Sequence, residues 1–156
     1  MSYVQYENNI QTAVLASEIT NGTNNYADVT GLSLPMMAST TYEFEFEIIW
    51  RTDDASRGVR FSVNGPASPT SVLIYTEIPT TLSAVTVTMQ RAYDTSSGTT
   101  SIDSANVNCY ARCYGTVVNG TTAGNLILRF RRSGGGATIA IEPNSVMKMW
   151  RVNPSN

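Results

Sequence analysis

Asp53 and Asp54 stand side by side near Arg57, while Asp94, Asp103 and Glu142 lie scattered at the edges of other polar stretches. Carboxylates are the one route to hydrolysis open to this chain, because it contains no histidine. That absence removes Ser-His-Asp and Cys-His nucleophiles, His-ligated zinc and the commonest general base. Glycoside hydrolysis needs two carboxylates flanking a cleft at a set separation, which adjacency in sequence does not provide. Asp53 and Asp54 therefore read as turn residues, favoured by aspartate's local hydrogen bonds. Their oxygens are too few and wrongly spaced for calcium. Gly134, Gly135 and Gly136 open no helix and precede no lysine, so they read as a flexible hairpin and not a phosphate loop. Cys109 and Cys113 share a strand face with Val107 and Ala111, about 13 Å apart and beyond disulfide reach. Two thiols alone complete no zinc site. The expectation is two inert, buried thiols, no metal, no cofactor and no enzyme.

Chemistry of recognition has more candidates. Glu43, Glu45 and Glu47 occupy alternate positions, as do Arg129 and Arg131 with Arg132 beside them. Facing rows would relieve like-charge repulsion, either within the chain or between chains. Tyr75, Tyr93, Tyr110 and Tyr114 lie near Thr- and Asn-rich loops and suit sugar stacking, although tyrosine is also an ordinary strand residue.

The elements that must position these residues read as strands. Period-2 alternation recurs along most of the length, and no apolar stripe of helical spacing and length is found. The clearest strand is Tyr42 to Trp50, with Tyr42, Phe44, Phe46, Ile48 and Trp50 on one face and the three glutamates on the other. Further strands are expected at Gln11 to Ser17, Asn25 to Val29, Val59 to Val63, Ser71 to Ile78, Ala84 to Tyr93, Val107 to Tyr114, Leu126 to Arg132, Ala137 to Ile141 and Val146 to Val152. Pro79 closes one strand and Pro143 separates the last two. The fold class is all-β: an antiparallel β-sandwich or jelly roll in a single domain of residues 11–156, preceded by a leader or arm of residues 1–10. The loop from Thr95 to Ser104 is long enough to be mobile or to reach a neighbour.

Several strand ends carry apolar residues on both faces: Ile48-Ile49-Trp50, Leu126-Ile127-Leu128, and Val146-Met147 with Met149-Trp150. A sandwich strand needs one buried face, so the second set awaits a loop, the leader or another subunit. Trp50, Met147, Met149 and Trp150 are thus candidate subunit contacts. Tyr3 and Tyr6, in the polar leader, are candidates for an arm laid on a neighbour. Asn64-Gly65-Pro66-Ala67-Ser68-Pro69-Thr70 is a rigid corner between two strands, and makes Asn64, Pro66 and Pro69 candidate contacts through shape alone.

Composition sets the outer bounds. A chain of 156 residues is long enough to bury a core without staples or metal. Its formal net charge is -2 with 14% charged residues, which gives no basic footprint for nucleic acid or an anionic membrane. No apolar run approaches the ~18 residues that span a bilayer, and Met1 to Tyr6 lacks the regions of a secretory signal. The expected site of synthesis is the cytoplasm.

Five blocks carry a resemblance: Gly31 to Pro35, Thr40 to Phe46, Asn64 to Thr70, Ala123 to Phe130 and Ser145 to Lys148. In order and spacing they resemble a β-sandwich module of tailed-bacteriophage virion structural proteins, over roughly Tyr26 to Val152. The resemblance includes no catalytic residue. It implies a virion component, on the capsid surface or in a tail appendage, that works as an oligomer and often a trimer. Fibre versions follow a long attachment and shaft region, whereas here about ten residues precede the first strand. The leading expectation is a capsid decoration, or cement, protein: a homotrimer that binds the major capsid protein of the assembled head. The alternative is a tail- or head-fibre module that binds a host surface glycan.

Overall fold

A computed structural model describes residues 10–95 and 97–152. Tyr3 and Tyr6 lie outside the described residues. Among the described residues the sequence alternation is realised as twelve strands in two antiparallel sheets. In chain order these are β1 (Gln11–Val14), β2 (Ile19–Asn21), β3 (Ala27–Met36), β4 (Thr41–Thr52), β5 (Val59–Asn64), β6 (Ser71–Pro79), β7 (Val85–Gln90), β8 (Ser97–Gly98), β9 (Cys109–Val118), β10 (Gly124–Arg132), β11 (Ile139–Ile141) and β12 (Val146–Val152).

The larger sheet runs β1-β12-β4-β9-β6-β7, and β11 carries β2 alongside the far end of β4. β11 and β12 lie in succession along one edge of β4, joined by the turn at Pro143. Ser145 fills the break between them: its hydroxyl accepts a 2.9 Å hydrogen bond from Ile49 N and donates one of 2.9 Å to Glu142 O. At the outer edge β1 lies antiparallel to β12, with Gln11 opposite Met149 and Val14 opposite Val146. The smaller sheet runs β3-β10-β5-β8.

The core lies between the sheets. From β4 come Phe44, Phe46, Ile48 and Trp50, from β5 Phe61 and Val63, from β10 Leu126, Leu128 and Phe130, all fully buried or nearly so. Trp50 meets Phe61 edge-to-face, with ring centroids 6.3 Å apart at 84°, an arrangement that suits the ring quadrupoles. Met147 and Met149 project into the same core at 0% exposure. This corrects the expectation that Trp50, Met147 and Met149 make subunit contacts, because the protomer's own core already covers them. Their strands interrupt the alternation at half-buried Ile49 and Trp150 instead.

One end of the sandwich is closed by polar side chains. Gln90 Oε1 accepts from Ser62 and Thr95 hydroxyls at 3.1 and 2.9 Å, and Ser97 Oγ donates to Phe61 O at 2.6 Å. The loop expected to be mobile thus contains β8. Gly98 has φ 146°, and a Cβ there would sit 2.1 Å from Val59 O, so the strand approaches β5 closely because that residue is glycine. Ile102 is buried further along the same segment, and its amide donates to Ala55 O at 3.0 Å.

The Asn64 to Thr70 corner is also turned inward. Pro66 is buried and packs over Gly124, while Gly120 abuts the Ser68 carbonyl. Ser68 has φ 56°, and Thr70 N donates to Val118 O at 2.8 Å. Pro66 is therefore packing material of the protomer and is withdrawn as a contact. Pro69 and Asn64 are half-buried, with Ala67 and Ser68 left exposed at the tip.

Candidate functional site

The facing row for the glutamates is supplied by strands adjacent in the sheet. β4 lies between β12 and β9, whereas the β10 arginines belong to the other sheet. Glu47 pairs with Lys148 at 3.1 Å, and Glu45 accepts from Arg112 Nε at 2.9 Å. Glu43 accepts a 2.9 Å hydrogen bond from the Trp150 indole nitrogen. Arg129 instead forms ion pairs of 2.7 Å with Asp28 and with Asp94. Within the protomer, then, Glu43, Glu45 and Glu47 meet Trp150, Arg112 and Lys148 and not Arg129 and Arg131.

Register lines these groups up across the outer face of the larger sheet. One row runs Lys148, Glu45, Tyr114, Tyr75 and Met89, and the next runs Trp150, Glu43, Thr116 and Leu73. Alternate residues of a strand share a face, so both rows point away from the core. An open groove of about 360 Å³ runs along these rows, lined by Glu43, Glu45, Tyr75, Arg112, Tyr114, Thr116 and Trp150.

The aromatic walls are held in place. The rings of Tyr75 and Tyr114 lie nearly parallel, 16° apart with centroids separated by 5.7 Å. The Arg112 guanidinium sits 5.2 Å from the Tyr114 ring centroid, a cation–π distance. Tyr114 donates its hydroxyl proton to Glu77 Oε1 at 2.9 Å, and this hydrogen bond, ahead of burial, pushes the phenol above its ordinary pKa. The hydrogen bond to Glu45 raises that of Arg112 in the same way, which keeps the guanidinium charged. Tyr75 and Tyr114 were legible as sugar-stacking candidates. Tyr93 instead buries its hydroxyl behind Gly65, which pushes its pKa up to about 12. Tyr110 lines a separate hollow of about 310 Å³ with Leu82, Val107 and Cys109.

A second surface lies at the sheet's far edge. Val85, Val87 and Met89 of β7 are exposed at 56, 61 and 41%. Thr80 N donates to Ala84 O at 2.9 Å, so that pair is hydrogen-bonded and the alternation of an antiparallel ladder turns the amides of residues 85, 87 and 89 outward. Among the described residues no strand pairs with that edge. The sequence of β7, Val-Thr-Val-Thr-Met-Gln, carries no charge to protect it.

The carboxylates considered for acid–base chemistry are spent on separate local contacts. Asp53 accepts from Thr138 N at 2.8 Å, and Asp54 accepts from Ser56 N and Oγ, bonds that lower its pKa. Asp103 accepts from Leu82 N, and Glu142 pairs with Arg51. Both cysteines are free thiols; Cys113 is buried and Cys109 half-buried.

No protein-family model matches the chain, and no curated protein matches it. Among solved structures, an Eiger TNF from S. frugiperda aligns over 94% of this chain and 95% of its own, at 9% identity and a TM-score of 0.46. The VP2 subviral particle of infectious bursal disease virus aligns over 99% of this chain and 46% of its own, at 8% identity and a TM-score of 0.32. The Gt strain of that virus aligns over 97% and 45%, at 9% identity and a TM-score of 0.27. The chain thus spans under half the length of the two viral chains.

Proposed function

We propose that this chain is a structural protein of a bacteriophage particle, a capsid decoration protein that binds the assembled head as a homotrimer and stabilises the shell. The observation that carries the reading is the free edge of β7, where Val85, Val87 and Met89 are exposed beside an unpaired ladder. Such an edge is a template for another protein chain, and left open it invites aggregation. A contact between that edge and a different surface of the next copy is heterologous, and closes into a three-membered ring when each copy is turned a third of a circle from the last. The resemblance of the Gly31 to Lys148 blocks to virion modules supplies the setting. Its partners are then other copies of itself and the major capsid protein.

Stabilisation would follow from linkage. A protein that binds only the assembled shell favours it by ~2.7 kcal/mol per site at a concentration 100-fold above its dissociation constant. The test is quantitative mass spectrometry of purified virions. Copy numbers that follow the capsid lattice support decoration, and a handful of copies per particle overturns it.

A fibre-type module that binds a host receptor is the second reading. The aromatic groove between Trp150 and the Tyr75–Tyr114 pair favours it.

A further inference from the structure

We infer that the groove on the outer face of the larger sheet is a binding site for an uncharged saccharide, seated between Trp150 and Tyr114. The inference rests on the second reading's premise that the groove takes a ligand, and it names the ligand's class. It does not require the protein to be a fibre.

The first argument is geometric. Trp150 stands on β12 opposite Glu43 and Tyr114 on β9 opposite Glu45, so the two walls lie diagonally across β4, two strand spacings (about 10 Å) apart across the sheet and one register row along it. Between them β4 carries Glu43 and Glu45, and Thr116 borders the groove beside Tyr114 on β9. A sugar ring has an apolar C–H face and a hydroxyl rim. The C–H face suits the negative face of an aromatic ring, and the rim suits carboxylates and hydroxyls at the groove's border.

The second is rigidity. Glu43 fixes the indole, Glu77 fixes the Tyr114 hydroxyl and Arg112 lies against the Tyr114 ring. Rings already held in place lose little freedom when a ligand arrives.

The third is charge. The lining holds two carboxylates, Glu43 and Glu45, and one guanidinium, Arg112, which is already engaged by Glu45. An anionic sugar would meet excess negative charge and displace an existing ion pair, so sialylated, sulfated and uronic chains are disfavoured. An extended peptide is disfavoured for a different reason. β4 and β9 are paired on both sides at the groove, so no free ladder is offered there.

The experiment titrates the full chain with N-acetylchitohexaose, maltohexaose and cellohexaose, and with the hexamer of galacturonic acid. Intrinsic fluorescence is the readout, since Trp50 is buried and Trp150 half-buried. At least one neutral hexamer is expected to give a saturable change that the galacturonate hexamer does not. Tyr114→Phe should retain binding, while Tyr114→Ala by fluorescence, and Trp150→Ala by titration calorimetry because its reporting indole is gone, should each weaken it about tenfold or more. An unchanged thermal midpoint separates these effects from misfolding. No saturable change with any neutral hexamer, equal binding of the galacturonate hexamer, or full binding by Tyr114→Ala overturns the inference. Adsorption to host cells, measured in parallel, separates it from the receptor reading. Saturable saccharide binding without adsorption upholds the groove and overturns the receptor. Equal adsorption of wild type and Tyr114→Ala, with no saccharide binding, does the reverse.

Discussion

Nδ2 of Asn64 donates a 2.6 Å hydrogen bond to Oδ2 of Asp94, thirty positions along the chain. The same oxygen lies 2.7 Å from Nη1 of Arg129, so one carboxylate ties the Asn64 corner, the segment after β7 and β10 together. Asp94 also has φ 55°, which aspartate and asparagine tolerate better than alanine. Asp94→Ala is expected to lower stability by ~1–2 kcal/mol, discounted for partial exposure, and Asp94→Asn by visibly less. Urea midpoints of the two variants check this. Equal losses would show that neither the backbone nor the remaining amide matters.

Gly115→Ala should be among the most damaging single substitutions. A Cβ there would lie 1.9 Å from the Leu73 carbonyl oxygen, which belongs to the paired backbone of β6 and has no flexible end to move. A loss of about 3 kcal/mol or more is expected, in the range of severe overpacking. The urea midpoint, or the soluble yield where the variant fails to fold, reads it out.

Alkaline pH should unfold the protein from a definable starting point. Burial pushes the Cys113 thiol and the Tyr93 phenol up to about 12 from ordinary values of 9.0 and 10.0. The folded state therefore holds protons that the unfolded state releases first. Their stabilising contribution is complete below about pH 8.5 and declines as pH rises through 9 and 10 towards 12. Chemical denaturation repeated between pH 8 and 11 should show that decline, and Cys113→Ala should flatten its early part. A parallel curve for the variant would remove Cys113 from the account. In the native state at pH 8, alkylating reagents should modify Cys109 far faster than Cys113.

Val87→Lys places a charge at the middle of the β7 edge without touching the core. The thermal midpoint of the isolated protomer should move little, whereas light scattering should show the proposed trimer dissociating to monomers. An oligomer that survives the substitution would relocate the interface away from this edge.

The fold was largely legible because its alternation is plain. The alternation from Tyr42 to Ile48 put the apolar set inside and the glutamates on the other face, and turn chemistry at Pro79 and Pro143 punctuated the strands where they end. What escaped was the content of short, polar segments. β2 and β8 hold three and two residues, too few to show a period, and β8 exists through Gly98's close approach and hydrogen bonds from Ser97. The groove was half visible. Tyr75 and Tyr114 were candidates for stacking and Trp150 for a contact, but their meeting depends on the β12-β4-β9-β6 order, which no local pattern encodes. The same order explains why, within the protomer, the glutamates meet other partners than Arg129 and Arg131. Met147 and Met149 misled for a simpler reason: a run with apolar residues at 146, 147, 149 and 150 fits either parity, and only the register with β4 decides which face is inside.

The pairing of β1 with β12 has a mechanical consequence. Gln11 faces Met149, so residues 10 and 152 leave the sheet at the same end of two antiparallel strands. A force drawing those two points apart would load the ladder one bond at a time, like a zip, and not all four register pairs at once. β1 should peel at low load while β4, paired along both sides in the middle of the sheet, keeps its shape. The protein would then have a soft attachment and a stiff body.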